Sequence, residues 1–276
     1  MKWSVRDFLK SAYLLLLAFV LCDVQRAQAQ APDLDFYGYR RSASGRKLAG
    51  EALVVANSLL AGVSKLKLRQ EWTGPDKKAA ETDVTVVLIA PTAVPFVIQV
   101  PHRSCRCIFL QMEAFRKSLG TYSGRPKQMM AIEPSHMLAF MLLHEVGHIE
   151  SGDPGAFEKE GADFNYDDTV FKERERGADQ FAAKALTAPT KDTAGFLNGM
   201  KVRMTLSHAS WNLTAVRLLD NFGGSTLCSK SLFADRGLSH PNFELRILAV
   251  NDILSNSPTS RELVEQFEDC RKPGRR

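Results

Sequence analysis

The chain has 276 residues, 45% hydrophobic and 24% charged, with a formal net charge of +5. That length suffices for one large domain with a full hydrophobic core. The composition excludes a low-complexity protein, shows no internal repeat, and has no basic excess that demands nucleic acid.

The N-terminus has three parts. Lys2, Arg6 and Lys10 precede the apolar run 12–21, and Ala27-Gln28-Ala29 follows as a small-residue cleavage site. This is the pattern of a secretory signal peptide over residues 1–29, with cleavage before Gln30 and an exported product, periplasmic or secreted. The run is short for a membrane anchor, and no later stretch reaches the roughly 20 apolar residues of a span. The mature chain is therefore expected to have no transmembrane segment. Cleavage removes four Lys/Arg (Lys2, Arg6, Lys10, Arg26) and two Asp/Glu (Asp7, Asp23), which lowers the net charge from +5 to +3. Residues 30–270 read as one domain, and 271–276 as a basic disordered tail.

Residues 31–41 look irregular, and 43–61 carry helical spacing through Leu48, Leu53, Val55, Leu59 and Leu60. Segments 83–90, 96–100 and 107–110 are short β-branched or aromatic runs bounded by proline and polar residues, and read as strands. Further helical patterns cover about 168–187, 194–206, 209–221, 242–255 and 259–269. The fold class expected is α+β, a small sheet followed by a mainly helical body.

Four cysteines survive cleavage, Cys105, Cys107, Cys228 and Cys270, and an even number in an oxidising compartment invites pairing. Cys105 and Cys107 lie two apart in an expected strand, where a mutual bridge is strained. Each is expected to pair more easily with Cys228 or Cys270, with free thiols as the alternative. The Cys-x-Cys spacing does not suit a structural zinc site.

His144-Glu145-Val146-Gly147-His148 carries the chemistry. Residues i and i+4 share a helix face, so both imidazoles can bind one zinc ion, with Glu145 beside it as a general base for an attacking water. Pro134 suits the first turn of this helix, Gly152 its C-terminal cap, and Pro154 prevents continuation. The motif thus ends a largely buried helix of about four turns, in which two histidines and a glutamate need partners. A catalytic zinc needs a third protein ligand. The metzincin pattern would need glycine at 151 and histidine at 154, where Ser151 and Pro154 stand. Glu175-Arg176-Gly177-Ala178-Asp179 opens a second helix with Glu175 and Asp179 again at i and i+4. Glu175 is the expected ligand, with Glu173 and Asp168 as alternatives. Asp179 is expected to accept a hydrogen bond from the far ring nitrogen of a ligand histidine, His144 first.

HEVGH followed by ERGAD resembles the HExxH…ExxxD signature of the gluzincin metallopeptidases. Ala178-Asp179-Gln180-Phe181-Ala182-Ala183 is similar to the HtpX and CAAX-prenyl-protease family. Ser239-His240-Pro241-Asn242-Phe243-Glu244-Leu245-Arg246-Ile247 resembles that family's late Ser/Thr-His-Pro…Arg-Ile segment. The gap from His148 to Glu175 is short for that family, and the Lit-type phage-exclusion peptidases, which also carry HExxH, are the alternative.

The resemblance implies a zincin-like catalytic domain with one Zn2+ per chain. It gives His240 a part in holding the oxyanion or substrate and places Arg246 beside the site. Otherwise Ser239 and Pro241 simply start a helix, and Arg246 forms a structural ion pair. In gluzincins the sheet edge nearest the active helix binds substrate as an added strand, and 107–110 resembles that edge, a plain core strand being the alternative. The activity implied is zinc-dependent hydrolysis of peptide bonds in unfolded or extended protein segments, in cell-envelope quality control or, equally compatible with the motifs, in processing of a dedicated target. The competing expectation is a non-catalytic zinc-binding envelope protein or chaperone-like module on the same fold, which would leave Glu145 without a purpose.

Overall fold

Alternation along the strands decides how this molecule is layered. The computed structural model describes residues 34–71, 82–92, 96–123, 130–158, 169–222 and 243–270. Helix α1 (Arg46–Leu60) leads into strands β1 (Lys67–Gln70), β2 (Asp83–Leu88), β3 (Ile98–Gln99) and β4 (Cys107–Leu110). Six helices follow among the described residues: α2 (Met112–Ser123), α3 (Pro134–Ser151), α4 (Thr169–Thr187), α5 (Thr193–Phe222), α6 (Phe243–Ser255) and α7 (Pro258–Cys270). The sheet order is β1-β2-β4-β3, with β1, β2 and β4 parallel and β3 antiparallel at the end. The fold is α+β.

Successive strand residues point to opposite faces. Val84, Val86 and Leu88 of β2, with Ile108 and Leu110 of β4, therefore enter the main core with the helices. Val87, Cys107 and Phe109 face the other way, with Ile89 just beyond β2, and join Leu34, Tyr37, Tyr39 and Phe96 in a second core. Tyr37 and Tyr39 meet Phe109 edge-on at centroid distances of 5.3 and 5.7 Å, and Phe157 closes on both tyrosines. Residues 34–38 form turns, as their composition suggests, and Arg41 bridges to Ile89.

Helix α3 runs through the middle of the main core. Every residue from Met137 to His148 is buried, the mark of a helix that is covered on all sides. It starts with Pro134 in the first turn and the Glu133 side chain accepting from the Ser135 N–H. It stops at Gly152, whose φ of 67° is the left-handed conformation that glycine adopts most readily. Both ends match the sequence expectation.

Several expectations need correction. Strand β1 and helix α2 were not assigned from sequence. β1 is polar and buries only Leu68, and α2 is short, with Met112, Phe115 and Leu119 as its core contacts. The two helices expected over 194–206 and 209–221 are one, α5, because Ser207 and His208 supply neither glycine nor proline to break it. Segment 107–110 is no edge: β4 lies between β2 and β3 with all four residues buried, so the core-strand alternative holds. Cys105 and Cys107 are bonded to each other. Cys105 lies before β4 in a turn closed by its N–H on the His102 carbonyl, free of the strand pleat, and its Cα sits 5.1 Å from that of Cys107, within the usual disulfide range. Cys228, the segment 1–29 and the tail 271–276 lie outside the described residues. Among the described residues no helix is long and apolar enough to cross a membrane.

Both sides of the sheet are closed by other parts of the chain. Beyond β3, the Val100 and Pro101 carbonyls accept from the Ala156 and Phe157 N–H groups at 2.9 and 3.0 Å. At β1, the Asn57 amide of α1 donates to the Leu68 carbonyl at 2.7 Å and accepts from the Leu68 N–H at 2.8 Å. One side chain thus stands in for a missing strand, which protects an edge otherwise open to pairing with another chain. Replacing Asn57 with alanine strands both backbone groups, and we expect a loss of about 1–3 kcal/mol in denaturant unfolding. An unchanged midpoint would mean that water serves Leu68 equally well.

Candidate metal centre

Two helices build this site, and a glycine sets how close they come. Helix α3 presents His144 and His148 one turn apart, and α4 presents Glu175 and Asp179 one turn apart. Between the histidines lies Gly147. A Cβ there would stand 2.9 Å from the Ala178 Cα and 3.1 Å from the Phe181 Cβ, closer than packed atoms tolerate. The absence of a side chain at 147 lets α4 lie directly against α3, which carries Glu175 to the imidazoles. Gly147 was not singled out from sequence, where it is only a variable position within the motif.

His144, His148 and Glu175 form a buried cluster that can hold a metal ion. The two Nε2 atoms are 3.1 Å apart; Glu175 Oε2 is 3.3 Å from His144 Nε2, and Oε1 is 3.6 Å from His148 Nε2. A tetrahedral ion with bonds of about 2.0–2.1 Å sets its donors about 3.3–3.4 Å apart. The three separations lie near that edge length, although two of them run to different oxygens of Glu175, and one ligand atom from each residue lies within 4.8 Å of the others, so the group can share one ion.

The far ring nitrogens are held from behind. His144 Nδ1 donates to Asp179 Oδ1 at 2.9 Å, as expected, and His148 Nδ1 donates to Asp153 Oδ2 at 2.9 Å. Each carboxylate holds the proton on Nδ1, so that Nε2, once deprotonated, directs its lone pair at the shared point. Asp153 was missed in the sequence. Its signal was present, since it follows the Gly152 cap, and its N–H returns to the His148 carbonyl at 3.0 Å. Arg246, on α6, donates from Nη1 to Asp179 Oδ2 at 2.8 Å and lies 3.6 Å from Glu175 Oε2. The late Arg-Ile segment therefore does reach the site. Glu145 is buried, and its Oε2 has no hydrogen-bond partner among the described residues. Glu173, an alternative third ligand, is exposed on α4 and takes no part. Asp168 and His240 lie outside the described residues.

The electrostatics ask for positive charge. Glu145, Glu175, Asp179 and Asp153 outnumber Arg246 and Arg174, whose Nε lies 4.0 Å from Asp153 Oδ1. Burial lowers the His144 pKa, but hydrogen bonds to Asp179 and Glu175, together with their charge, outweigh that and push it up to about 10. A proton or a metal ion satisfies the same demand.

Compared with protein-family models, with curated proteins and with solved structures, the chain matches none.

Two outcomes are expected. Gly147→Ala favours the helix itself by about 1 kcal/mol yet forces α4 away. Metal affinity should therefore fall by about 10–100-fold, the cost of misplacing a ligand, while far-ultraviolet circular dichroism stays unchanged. Unaltered affinity would show that the close approach is not needed. Secondly, metal binding at His144 Nε2 must displace the proton this group holds at pH 7. Affinity measured by chelator competition should then rise by up to about tenfold per pH unit towards pH 10, and a flat profile between pH 7 and 9 would contradict it.

Proposed function

We propose that this chain is an exported zinc-dependent endopeptidase of the gluzincin type that cleaves unfolded or extended protein segments. The observation that carries the reading is Glu145, a buried carboxylate next to a metal ligand, with one oxygen lacking a partner among the described residues. A purely structural metal site has no use for such a group. The donor set of two imidazoles and one carboxylate, leaving a position open, suits catalytic zinc.

When bound, zinc polarises a scissile carbonyl and makes water more acidic. Glu145 takes the proton of the attacking water and returns it to the leaving amine nitrogen. Asp179 and Asp153 keep His144 and His148 in the Nδ1-protonated tautomer, and Arg246 holds Asp179 in place. His240 remains a candidate for binding the oxyanion or substrate, on motif similarity alone.

Export is supported by the three-part N-terminus and by the Cys105–Cys107 disulfide, a bond typical of oxidising compartments. A role in cell-envelope protein quality control follows from the family resemblance.

Cleavage of casein by the zinc-loaded chain, compared with Glu145→Gln, tests the proposal. Loss of about 10²–10⁴-fold in rate, the usual share of a general base, is expected, with one zinc per chain retained in the variant. Equal cleavage by both proteins, or none by zinc-loaded wild type on any unfolded substrate, would remove the peptidase reading.

A further inference from the structure

Helix α5 has an uncovered face that the metal centre does not use. Phe196, Leu197, Met200, Met204 and Trp211 are each 46–57% exposed. At about 100° per residue they fall, with Ser207, within a single arc of roughly 100°. Arg203 lies at one margin of that arc, and His208 and Lys201 lie at the other. The stripe runs about 22 Å along the helix, while Val202, Leu206 and Ala209 on the opposite side are buried in the main core. From position 193 to 219 the sequence contains Lys201, Arg203 and Arg217 and no Asp or Glu. The carboxylate just before the helix, Asp192, is engaged in accepting from the Gly195 N–H at 2.7 Å.

We propose that this face of α5 rests on an anionic phospholipid surface. The apolar stripe enters the boundary between headgroups and acyl chains, and Arg203 and Lys201 meet lipid phosphates along its two margins. Like helices that lie in a membrane interface, α5 presents to solvent an apolar stripe that holds an aromatic residue and is bordered by cations, although its opposite side is buried in the protein core and not polar. Cations near an anionic leaflet add attraction that neutral lipid cannot supply. The helix lies on the surface and does not cross it, since no described helix is long and apolar enough to span. A second copy of the chain fits the face less well. A two-fold pairing along the stripe would set Lys201 and Arg203 near the same cations of the partner, with no carboxylate in 193–219 to answer them.

The test uses the full chain with Trp3→Phe and Trp72→Phe, which leaves Trp211 as the only tryptophan. Vesicles of brominated phosphatidylcholine, with and without phosphatidylglycerol, report whether that ring enters lipid. Quenching of Trp211 by the anionic vesicles is expected, with apparent binding on the order of tenfold weaker on phosphatidylcholine alone. Lys201→Gln with Arg203→Gln should erase that preference. Met200→Ser with Met204→Ser, both at exposed positions, should reduce quenching on either vesicle. Co-sedimentation with vesicles without Trp211 quenching would overturn the proposal, because another segment, such as 12–21, would then hold the lipid. Absence of vesicle binding would overturn it too, and a dimer seen by sedimentation in that case would assign the stripe to a second copy.

Discussion

The contact between Gly147 and Ala178 is the constraint on which the site depends. Two helices at ordinary separation are 8–10 Å apart, a distance set by the side chains between them. Removing the side chain at 147 brings the α4 backbone within van der Waals reach of α3. Glu175 precedes Ala178 by three residues and Asp179 follows it, so both project from the stretch that is pressed closest. One goes to the front of the imidazoles and the other to the back of His144. A metal site needs donors placed to within tenths of an ångström, and here that accuracy comes from two rigid helices in direct contact.

Charge explains why the rest of the site looks as it does. Four carboxylates in and around a buried cluster would repel one another and resist burial. Arg246 at Asp179 and Arg174 at Asp153 offset two of them, and the site retains a deficit that a proton or a divalent ion fills. The upward shift of His144 expresses that deficit. It also ties occupancy to acidity, since a proton and a metal ion compete for His144 Nε2. The interior that excludes water from α3 makes each of these interactions stronger than it would be on the surface.

Much of the site could be read from the sequence because it is encoded by spacing on single helices. The i, i+4 histidines, the i, i+4 carboxylates of α4, and the Pro134 and Gly152 ends of α3 are local signals. What the spacing does not reveal depends on how the backbone turns or on what pairs with it. Asp153 reaches His148 only because the chain turns back after Gly152. β1 is a strand because Asn57 and β2 pair with it, not because Lys67-Leu68-Arg69-Gln70 favours extended structure. The Cys105–Cys107 bond depended on Cys105 leaving the strand pleat, which no period reveals. The continuity of α5 was hidden by the polar pair Ser207-His208, which lowers the helical pattern without interrupting the backbone.

Arg246 has a consequence for the order in which the protein is made. It reaches Asp179 across 67 positions of the chain, from a helix that follows every other residue of the centre. A ribosome releases the histidines, Asp153, Glu175 and Asp179 first, and the cation that tethers Asp179 last. Until α6 docks, Asp179 and Glu175 lack the guanidinium that lies 2.8 and 3.6 Å from them in the folded chain. Completion of the centre therefore waits for the C-terminal part of the chain: a truncated product carries the whole HExxH…ExxxD signature and lacks the cation that fixes Asp179 behind the His144 ring.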